Sequence, residues 1–264
     1  WGARGGLRDT AATDVIVHAG SALATFYQCG EPYRMDARTL AFKGTASWVD
    51  QVMPDGISAH PKVDPENGEL LFFNYSKTAP YMHFGVVDAN DTLVHYVPVE
   101  LPGPRLPHDM AFTRNYAILN DFPLFWDPEL LVQGKHKVVY RPELRSRFAI
   151  VPRSGKAKEV RWFEASPTYV LHWLNAWEEG DEIVLHGFHQ RTPLPTRKDG
   201  QGGFDNTGTT LGPQRYGPSL YCWRFNLRTG KTREERLSDL PLEFGMINTQ
   251  YWGKPYRYSY NMIA

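Results

Sequence analysis

Residues 64–75 read DPENGELLFFNY, a turn that is followed directly by a short apolar run. Tight turns favour Asp, Pro, Asn and Gly, and a run of aliphatic and aromatic residues after such a turn is typical of a β-hairpin. Turns and short runs alternate along most of the chain, and the further runs lie at 83–87, 92–99, 147–152, 159–164, 181–187 and 221–227. Many short strands at close spacing predict an all-β fold of the sandwich, barrel or propeller kind.

Apart from these strands, the pattern predicts one short helix and one long loop. One short helix is predicted near 128–133, where the chain reads PELLVQ. The segment 192–218 is rich in Gly, Pro, Thr and Arg and is predicted to form a long loop. No second domain is indicated. No clean repeat marks individual blades, so the pattern alone leaves a sandwich, a barrel and a propeller open.

The composition excludes some partners and indicates a compartment. Lys+Arg and Asp+Glu both number 29, so the net charge is zero and gives no electrostatic case for a nucleic acid or a polybasic membrane contact. The two cysteines, Cys29 and Cys222, do not form a disulfide scaffold and indicate a reducing, cytoplasmic setting. No apolar run is long enough to span a membrane, and the N-terminal residues do not resemble a signal peptide. The chain begins with Trp1, and we expect it to be part of a longer protein.

Three of the nine histidines lie in similar local sequences. His60, His108 and His172 each follow an apolar or proline-containing stretch, where we expect a strand to enter a turn. Because they are far apart along the chain, only the tertiary fold can bring them together, unlike the histidines of a local metal motif. Spacing alone is therefore a weak signal for a metal site, since most buried histidines are hydrogen-bonded core residues.

The sequences around these histidines carry a specific resemblance. AHPKVDPENGELLFF at 59–73, PHDMAFTRNYAILND at 107–121 and YVLHWLNAWEEGDEIVLHG at 169–187 each resemble a histidine segment of the carotenoid cleavage oxygenases. That family includes apocarotenoid oxygenases, lignostilbene dioxygenases and the retinoid isomerase of the retinal pigment epithelium. Residues 9–36 and 243–260 also resemble family segments, and all five matches follow the family order along the chain.

The resemblance implies a fold and a cofactor. The family fold is a seven-bladed β-propeller that carries one Fe(II) on its axis, bound by four histidines. We therefore expect residues 1–264 to be the central part of one such propeller domain, incomplete at both ends, with His60, His108 and His172 as iron ligands. The fourth family histidine lies beyond the region that this chain matches. The partners that the resemblance implies are O2 and a lipophilic polyene.

The resemblance also implies residues behind the iron ligands. In the family, three glutamates accept hydrogen bonds from ligand histidines, which fixes the ring tautomer. Glu243 matches one of them. Gln28 takes the place of another, and its side-chain oxygen can accept a hydrogen bond but brings no negative charge. His186 and His189 do not match the position of the fourth ligand, and we do not expect them to bind iron.

The substrate prediction depends on one residue. Stilbene-cleaving members of the family carry a lysine beside the early glutamate, and here that position is Tyr27. A phenol in place of an ammonium favours an apolar carotenoid or apocarotenoid, cleaved at a carbon–carbon double bond by O2 into two carbonyl products. The alternatives are a stilbene-cleaving dioxygenase, an isomerase, an inactive propeller fragment or binding module without the fourth ligand, and a three-histidine zinc hydrolase.

An apolar segment after the second histidine has two interpretations. In one, it is a surface patch that touches a membrane to collect a lipophilic substrate, which would make the protein peripheral to a membrane. In the other, it is a buried cover of the substrate tunnel. The residues of this patch are Phe122, Leu124, Phe125, Trp126, Leu130 and Leu131.

Overall fold

The computed structural model describes residues 10–52, 56–135, 137–191, 193 and 217–263. The predicted loop at 192–218 lies almost entirely outside these ranges, as does His136. Within them, the chain is built almost wholly of antiparallel strands. Helical structure there is limited to α1 (Pro128–Val132) and the short 3₁₀ helices Val49–Gln51, Ala157–Glu159 and Thr249–Tyr251. The predicted all-β fold is confirmed.

The described strands form four four-stranded sheets and two hairpins. The first sheet contains β1 (Asp14–His18), β2 (Ser21–Thr25), β3 (Tyr33–Asp36) and β4 (Phe42–Thr45). The second contains β5 (Lys62–Val63), β6 (Leu70–Tyr75), β7 (Met82–Val87) and β8 (Leu93–Pro98). The third contains β9 (Ala111–Phe112), β10 (Tyr116–Asp121), β13 (Ser146–Pro152) and β14 (Arg161–Ala165). Each sheet is an antiparallel meander, so its first strand lies at one edge.

The rest of the chain completes this arrangement. The hairpin of β11 (Leu124–Trp126) and β12 (Val138–Tyr140) is inserted between β10 and β13, with α1 in its connection. The fourth sheet contains β15 (Tyr169–Glu179), β16 (Glu182–Gln190), β17 (Ser219–Asn226) and β18 (Thr232–Arg236). The last hairpin contains β19 (Leu242–Met246) and β20 (Tyr260–Ile263).

The sheets pack face to face in chain order. β6 illustrates why, because every one of its residues is buried. Side chains alternate between the two faces of a strand. Leu70 and Phe72 therefore join a cluster with Leu23 of the first sheet, while Leu71 and Phe73 join a cluster with the third sheet. A strand covered on both faces reads as a continuous apolar run, as in 70–73, instead of alternating with polar residues.

The same packing continues towards the C-terminal part of the chain. Ile118 and Phe148 of the third sheet pack against Trp173 and Trp223 of the fourth. A further cluster joins the fourth sheet to β19, and its buried members are Leu174, Phe188, Leu242 and Ile247. Four apolar interfaces thus connect five successive sheets or hairpins, and the core of the molecule is divided among them.

Most of the predicted strands and the helix lie within a few residues of their observed positions. The strand β14 begins two residues later than predicted, at Arg161. The preceding residues form the 3₁₀ helix Ala157–Glu159, in which the Glu159 carboxylate accepts a hydrogen bond from the Lys156 N–H. α1 begins where predicted because Pro128 follows Asp127, whose carboxylate caps the N–H groups of Glu129 and Leu130.

Candidate metal centre

Three histidines converge at the first strands of three successive sheets. His60 lies just before β5, His108 lies just before β9, and His172 lies near the start of β15. The prediction that each histidine ends a strand is therefore wrong. The described residues before His60 form only an isolated bridge, Ile57 with Gly30, and those before His108 form a loop, so β5 and β9 begin after the histidine. His172 lies inside a strand because its apolar neighbours on both sides pair with β16.

Local backbone features orient two of these side chains. His60 has a positive φ of 58°, an uncommon conformation for a residue other than glycine. His172 lies where the pairing of β15 with β16 shifts register, between Val170 and Trp173. Such bulges re-aim side chains at functional sites. Across this bulge lies Gly187, where a Cβ atom would be only 2.3 Å from the Trp173 ring, so only glycine fits opposite it.

The three imidazole rings form one compact cluster. Nε2 of His60 lies 3.1 Å from Nε2 of His108. The ring centroids of the three pairs are 4.9, 5.1 and 5.2 Å apart. One nitrogen from each ring lies within 4.8 Å of the others. This spacing allows three ring nitrogens to approach one metal ion, whose bonds to imidazole nitrogen are about 2.1 Å long.

Carboxylates fix the outer nitrogen of two of the rings. His60 Nδ1 is 2.8 Å from Asp14 Oδ2, and His172 Nδ1 is 2.8 Å from Glu243 Oε2. A carboxylate accepts a hydrogen bond, so each ring carries its proton on Nδ1 and leaves the Nε2 lone pair free. Glu243 is fully buried, and its Oε2 also accepts a hydrogen bond from the Phe244 N–H at 2.5 Å.

Electrostatics keep the third ring neutral. Burial lowers the pKa of His108 well below its usual value, and electrostatic interactions with the two neighbouring imidazoles and with Lys62 lower that pKa further. A neutral imidazole is the form that binds a metal. For Asp14, burial raises the pKa of the carboxyl, but the hydrogen bond and electrostatic attraction of His60, together with the nearby charge of Lys62, outweigh that effect and leave the pKa lowered. Asp14 therefore stays an acceptor.

Asp109 connects the three histidine segments. Its Oδ1 lies 2.7 Å from the Lys62 ammonium and accepts the Met110 N–H at 2.7 Å. Its Oδ2 accepts the Trp173 N–H at 2.9 Å. Asp109 follows His108 directly, while Lys62 and Trp173 lie close to His60 and His172 in sequence. One buried carboxylate thereby sets the relative positions of all three histidines.

Sequence reasoning did not identify Asp14 or Asp109. Asp109 is adjacent to a candidate ligand, and this adjacency was a usable signal. Asp14 lies 46 residues before His60 and carries no spacing signal, because only the packing of the first sheet on the second brings the two together.

Gln28 approaches the cluster through Tyr27, and neither polar atom of its side chain bonds a histidine among the described residues. Its Nε2 donates to the Tyr27 hydroxyl at 2.9 Å, and the Tyr27 ring lies 6.0 Å from the His108 ring. Gln28 is buried, and its Oε1 has no hydrogen-bond partner among the described residues. Its expected role behind a metal ligand remains a prediction.

An apolar cavity of 380 Å³ opens beside His60 and His172. The charged residues on its wall, Lys62 and Asp109, form the ion pair described above and so neutralise each other. The larger apolar side chains that line it are Met110, Phe112, Trp173, Leu174, Phe244, Met246, Ile247 and Trp252. The site thus combines three nitrogen donors with an apolar cavity.

The two histidines that were not expected to bind metal have other contacts. His186 Nδ1 lies 2.7 Å from the Tyr256 hydroxyl, and His189 stacks on Tyr221 with ring centroids 4.3 Å apart. Neither belongs to the three-histidine cluster.

The predicted apolar patch divides into two parts. Phe122, Leu124 and Trp126 are buried in the core, whereas Phe125, Leu130 and Leu131 are half-buried. None of the six lines the cavity beside the histidines. The buried three therefore form part of the interior, and contact of this segment with a membrane or a tunnel remains a prediction. In the described part of the chain, no helix has the length and hydropathy needed to cross a membrane.

Comparisons with known proteins place these features in a family. The profile of the family described as "Retinal pigment epithelial membrane protein" matches residues 1–264. The chain is 34% identical over 263 residues to carotenoid 9,10(9',10')-cleavage dioxygenase 1 of Arabidopsis thaliana, a match that covers 96% of this chain and 46% of the relative. It is 31% identical over 263 residues to isoeugenol monooxygenase of Pseudomonas nitroreducens, a match that covers 96% of this chain and 52% of the relative.

Solved structures have the same fold. Lignostilbene dioxygenase of Pseudomonas brassicacearum matches with a TM-score of 0.81 at 28% identity and covers 96% of this chain and 53% of its own. Cobalt-substituted apocarotenoid oxygenase of Synechocystis matches with a TM-score of 0.80 at 23% identity, over 97% of this chain and 54% of its own. The chain spans about half the length of the proteins it matches. On its profile match and its relatives, it belongs to the retinal pigment epithelial membrane protein family, the family of the carotenoid cleavage oxygenases.

Proposed function

We propose that this chain is the central part of one seven-bladed propeller domain in a non-haem Fe(II) oxygenase. In this proposal the enzyme cleaves a carbon–carbon double bond of a carotenoid or apocarotenoid with O2 and releases two carbonyl products. The observation that carries the proposal is the convergence of His60, His108 and His172, with carboxylates on the outer nitrogens of two rings.

The chemistry of the donor set fits the metal. Asp14 and Glu243 hold protons on the outer nitrogens of His60 and His172, so both rings present a free lone pair towards the cluster. His108 is buried and neutral, which makes it a third neutral donor. His60, His108 and His172 would hold the Fe(II), with a further histidine from the remainder of the protein. When bound, the iron supplies the activation of O2.

The protein's own part is to position the substrate and exclude water. The cavity beside the cluster is lined mainly by apolar and aromatic side chains, so it favours a hydrocarbon chain over a charged substrate. Phe244 lies on the cluster itself, with its ring centroid 4.7 Å from that of His172. The pairing of Lys62 with Asp109 leaves no net charge on this wall.

A phenylpropenoid or stilbene substrate is the second candidate. Two observations favour it: the relatives include an isoeugenol monooxygenase, and the matched structures include a lignostilbene dioxygenase. Tyr27 weakens this candidate, because it places a phenol where stilbene-cleaving members of the family carry a lysine. A phenolic substrate would have to find its polar partner elsewhere in the cavity.

Product analysis under ¹⁸O₂ tests the proposal. The full protein containing this chain is loaded with Fe(II) and given an apocarotenoid, isoeugenol or a hydroxystilbene in parallel. We expect two ¹⁸O-labelled carbonyl fragments from the apocarotenoid. These fragments are expected to be absent with the His172→Ala variant and retained with the His189→Ala variant. Labelled fragments from a phenolic substrate alone would establish the second candidate.

Other outcomes would contradict the proposal. A rearranged substrate without label indicates an isomerase, and bound but unchanged substrate indicates a binding module. Zinc at full occupancy with no iron indicates a hydrolytic metal site. Metal analysis of the same samples distinguishes these outcomes from a preparation that simply lost its iron.

A further inference from the structure

The carboxylate of Asp14 is held at both of its oxygens. Oδ2 lies 2.8 Å from His60 Nδ1, and Oδ1 accepts the Val15 N–H at 2.8 Å. Asp14 is the first residue of β1 and pairs with Thr25 of β2. Because the strand pairing fixes its backbone, the carboxylate faces His60 as part of the folded sheet. Its side chain is 34% exposed, so water reaches one side of it.

This contact determines which nitrogen of His60 is available to a ligand. An ionised carboxylate only accepts hydrogen bonds, so the His60 proton lies on Nδ1. The free lone pair is then on Nε2, the atom that lies 3.1 Å from His108 Nε2. Removing the carboxylate would let the proton move to Nε2 and block that donor.

Negative charge is distributed unequally behind the three rings. Glu243 lies behind His172, and Asp14 lies behind His60. Gln28 bonds Tyr27, whose ring lies 6.0 Å from the His108 ring. Its side chain is neutral, and its buried Oε1 accepts no hydrogen bond from the described residues. Three neutral imidazoles leave the charge of a divalent metal uncompensated, so the position of each carboxylate matters to metal affinity.

We propose that Asp14 is a positioning residue of the metal centre. It holds His60 in the tautomer that presents Nε2, and it supplies behind His60 the negative charge that Gln28 does not supply near His108. This inference rests on the proposed function, because it concerns the same metal centre. It adds a residue from the first sheet to a site whose histidines come from the next three.

Cobalt(II) titration of the metal-free full protein tests this role. Asp14→Asn keeps the size and an acceptor oxygen but removes the charge, and Asp14→Ala removes both. We expect Asp14→Ala to raise the cobalt dissociation constant about 10- to 100-fold and Asp14→Asn to raise it less. The double variant Asp14→Asn with Gln28→Glu restores one negative charge and is expected to regain part of the lost affinity. Asp50→Asn removes an exposed acid as the matched control and leaves the affinity unchanged.

A second readout separates positioning from general stability. The visible absorption of bound cobalt reports the ligand field, and we expect it to change in the Asp14 variants and not in Asp50→Asn. If Asp14→Ala keeps the wild-type cobalt affinity and spectrum while His172→Ala binds cobalt more weakly, this inference is wrong and the proposed function still stands. Unchanged binding in His172→Ala as well would refute the metal centre itself.

Discussion

At the scale of single residues, Glu243 is the most deeply buried carboxylate of the site. It is fully buried, its Oε2 bonds the His172 ring and the Phe244 N–H, and its Oε1 has no partner among the described residues. An isolated carboxylate at such a depth would be strongly unfavourable. A divalent metal on the other side of the His172 ring would stabilise this charge through the ring, which gives a reason for an acid at this position.

Glu243→Gln tests this residue directly. The amide keeps the size and one acceptor oxygen but loses the charge that makes the His172 ring basic, so we expect metal affinity to fall about 10- to 100-fold. The measurement is metal content after dialysis against graded chelator. Glu164→Gln, on the exposed side of β14, serves as control. Equal metal retention by Glu243→Gln and wild type would show that this carboxylate does not support a ligand.

At the scale of strands and loops, the local sequence predicted the positions of the strands but not the contacts between distant segments. The apolar runs at 70–75 and 82–87 are strands because neighbouring sheets cover both faces, and their turns are marked by Gly, Asp and Asn. The three histidines chosen by their flanking sequences lie together in one cluster, and their role as metal ligands remains a prediction. The bulge at His172 and the contact of Asp14 with His60 depend on pairing and packing between distant segments, which no local pattern records.

Gly187→Ala tests the bulge of β15. A Cβ atom at 187 would lie 2.3 Å from the Trp173 ring, which must then shift. We expect the free energy of unfolding to fall by about 1–3 kcal/mol, the usual cost of an overpacked core, and metal affinity to fall because Trp173 adjoins His172. Urea denaturation measures the first effect. Gly103→Ala is the control, because only a flexible arginine side chain lies near a Cβ atom at this position. A Gly187→Ala protein as stable as this control would contradict the account.

At the scale of the whole molecule, the free energy of unfolding is shared among successive sheet interfaces. The interface that contains His186 depends on pH. His186 of β16 bonds the Tyr256 hydroxyl, which ties the fourth sheet to the segment after β19. Burial lowers the pKa of His186 to about 4, and the nearby charge of Arg224 contributes to this shift. Between the ordinary histidine pKa of about 6.5 and this lower value, the unfolded chain binds a proton that the folded chain does not. Stability supplied by neutral His186 is thus complete above about pH 6.5 and is lost as the pH falls towards 4.

The His186→Gln variant isolates this effect. Glutamine retains a hydrogen-bonding group for Tyr256 but does not titrate. We expect the wild type to lose about 1–3 kcal/mol more than the variant when the pH falls from 7 to 4, because folding lowers the His186 pKa from about 6.5 to about 4 and the half-buried ring is partly screened by water. Urea denaturation at several pH values measures the difference. Parallel curves for the two proteins would contradict the assignment of a neutral, buried His186.

The central claim is that one iron ion is held by His60, His108 and His172, and metal stoichiometry tests it most directly. Iron per chain is measured in the full protein and in three single variants, His60→Ala, His108→Ala and His172→Ala, with His189→Ala as control. The account predicts about one iron per chain in the wild type and the control, and a large loss of iron in each of the three variants. Iron retained at the wild-type level in all three would contradict it.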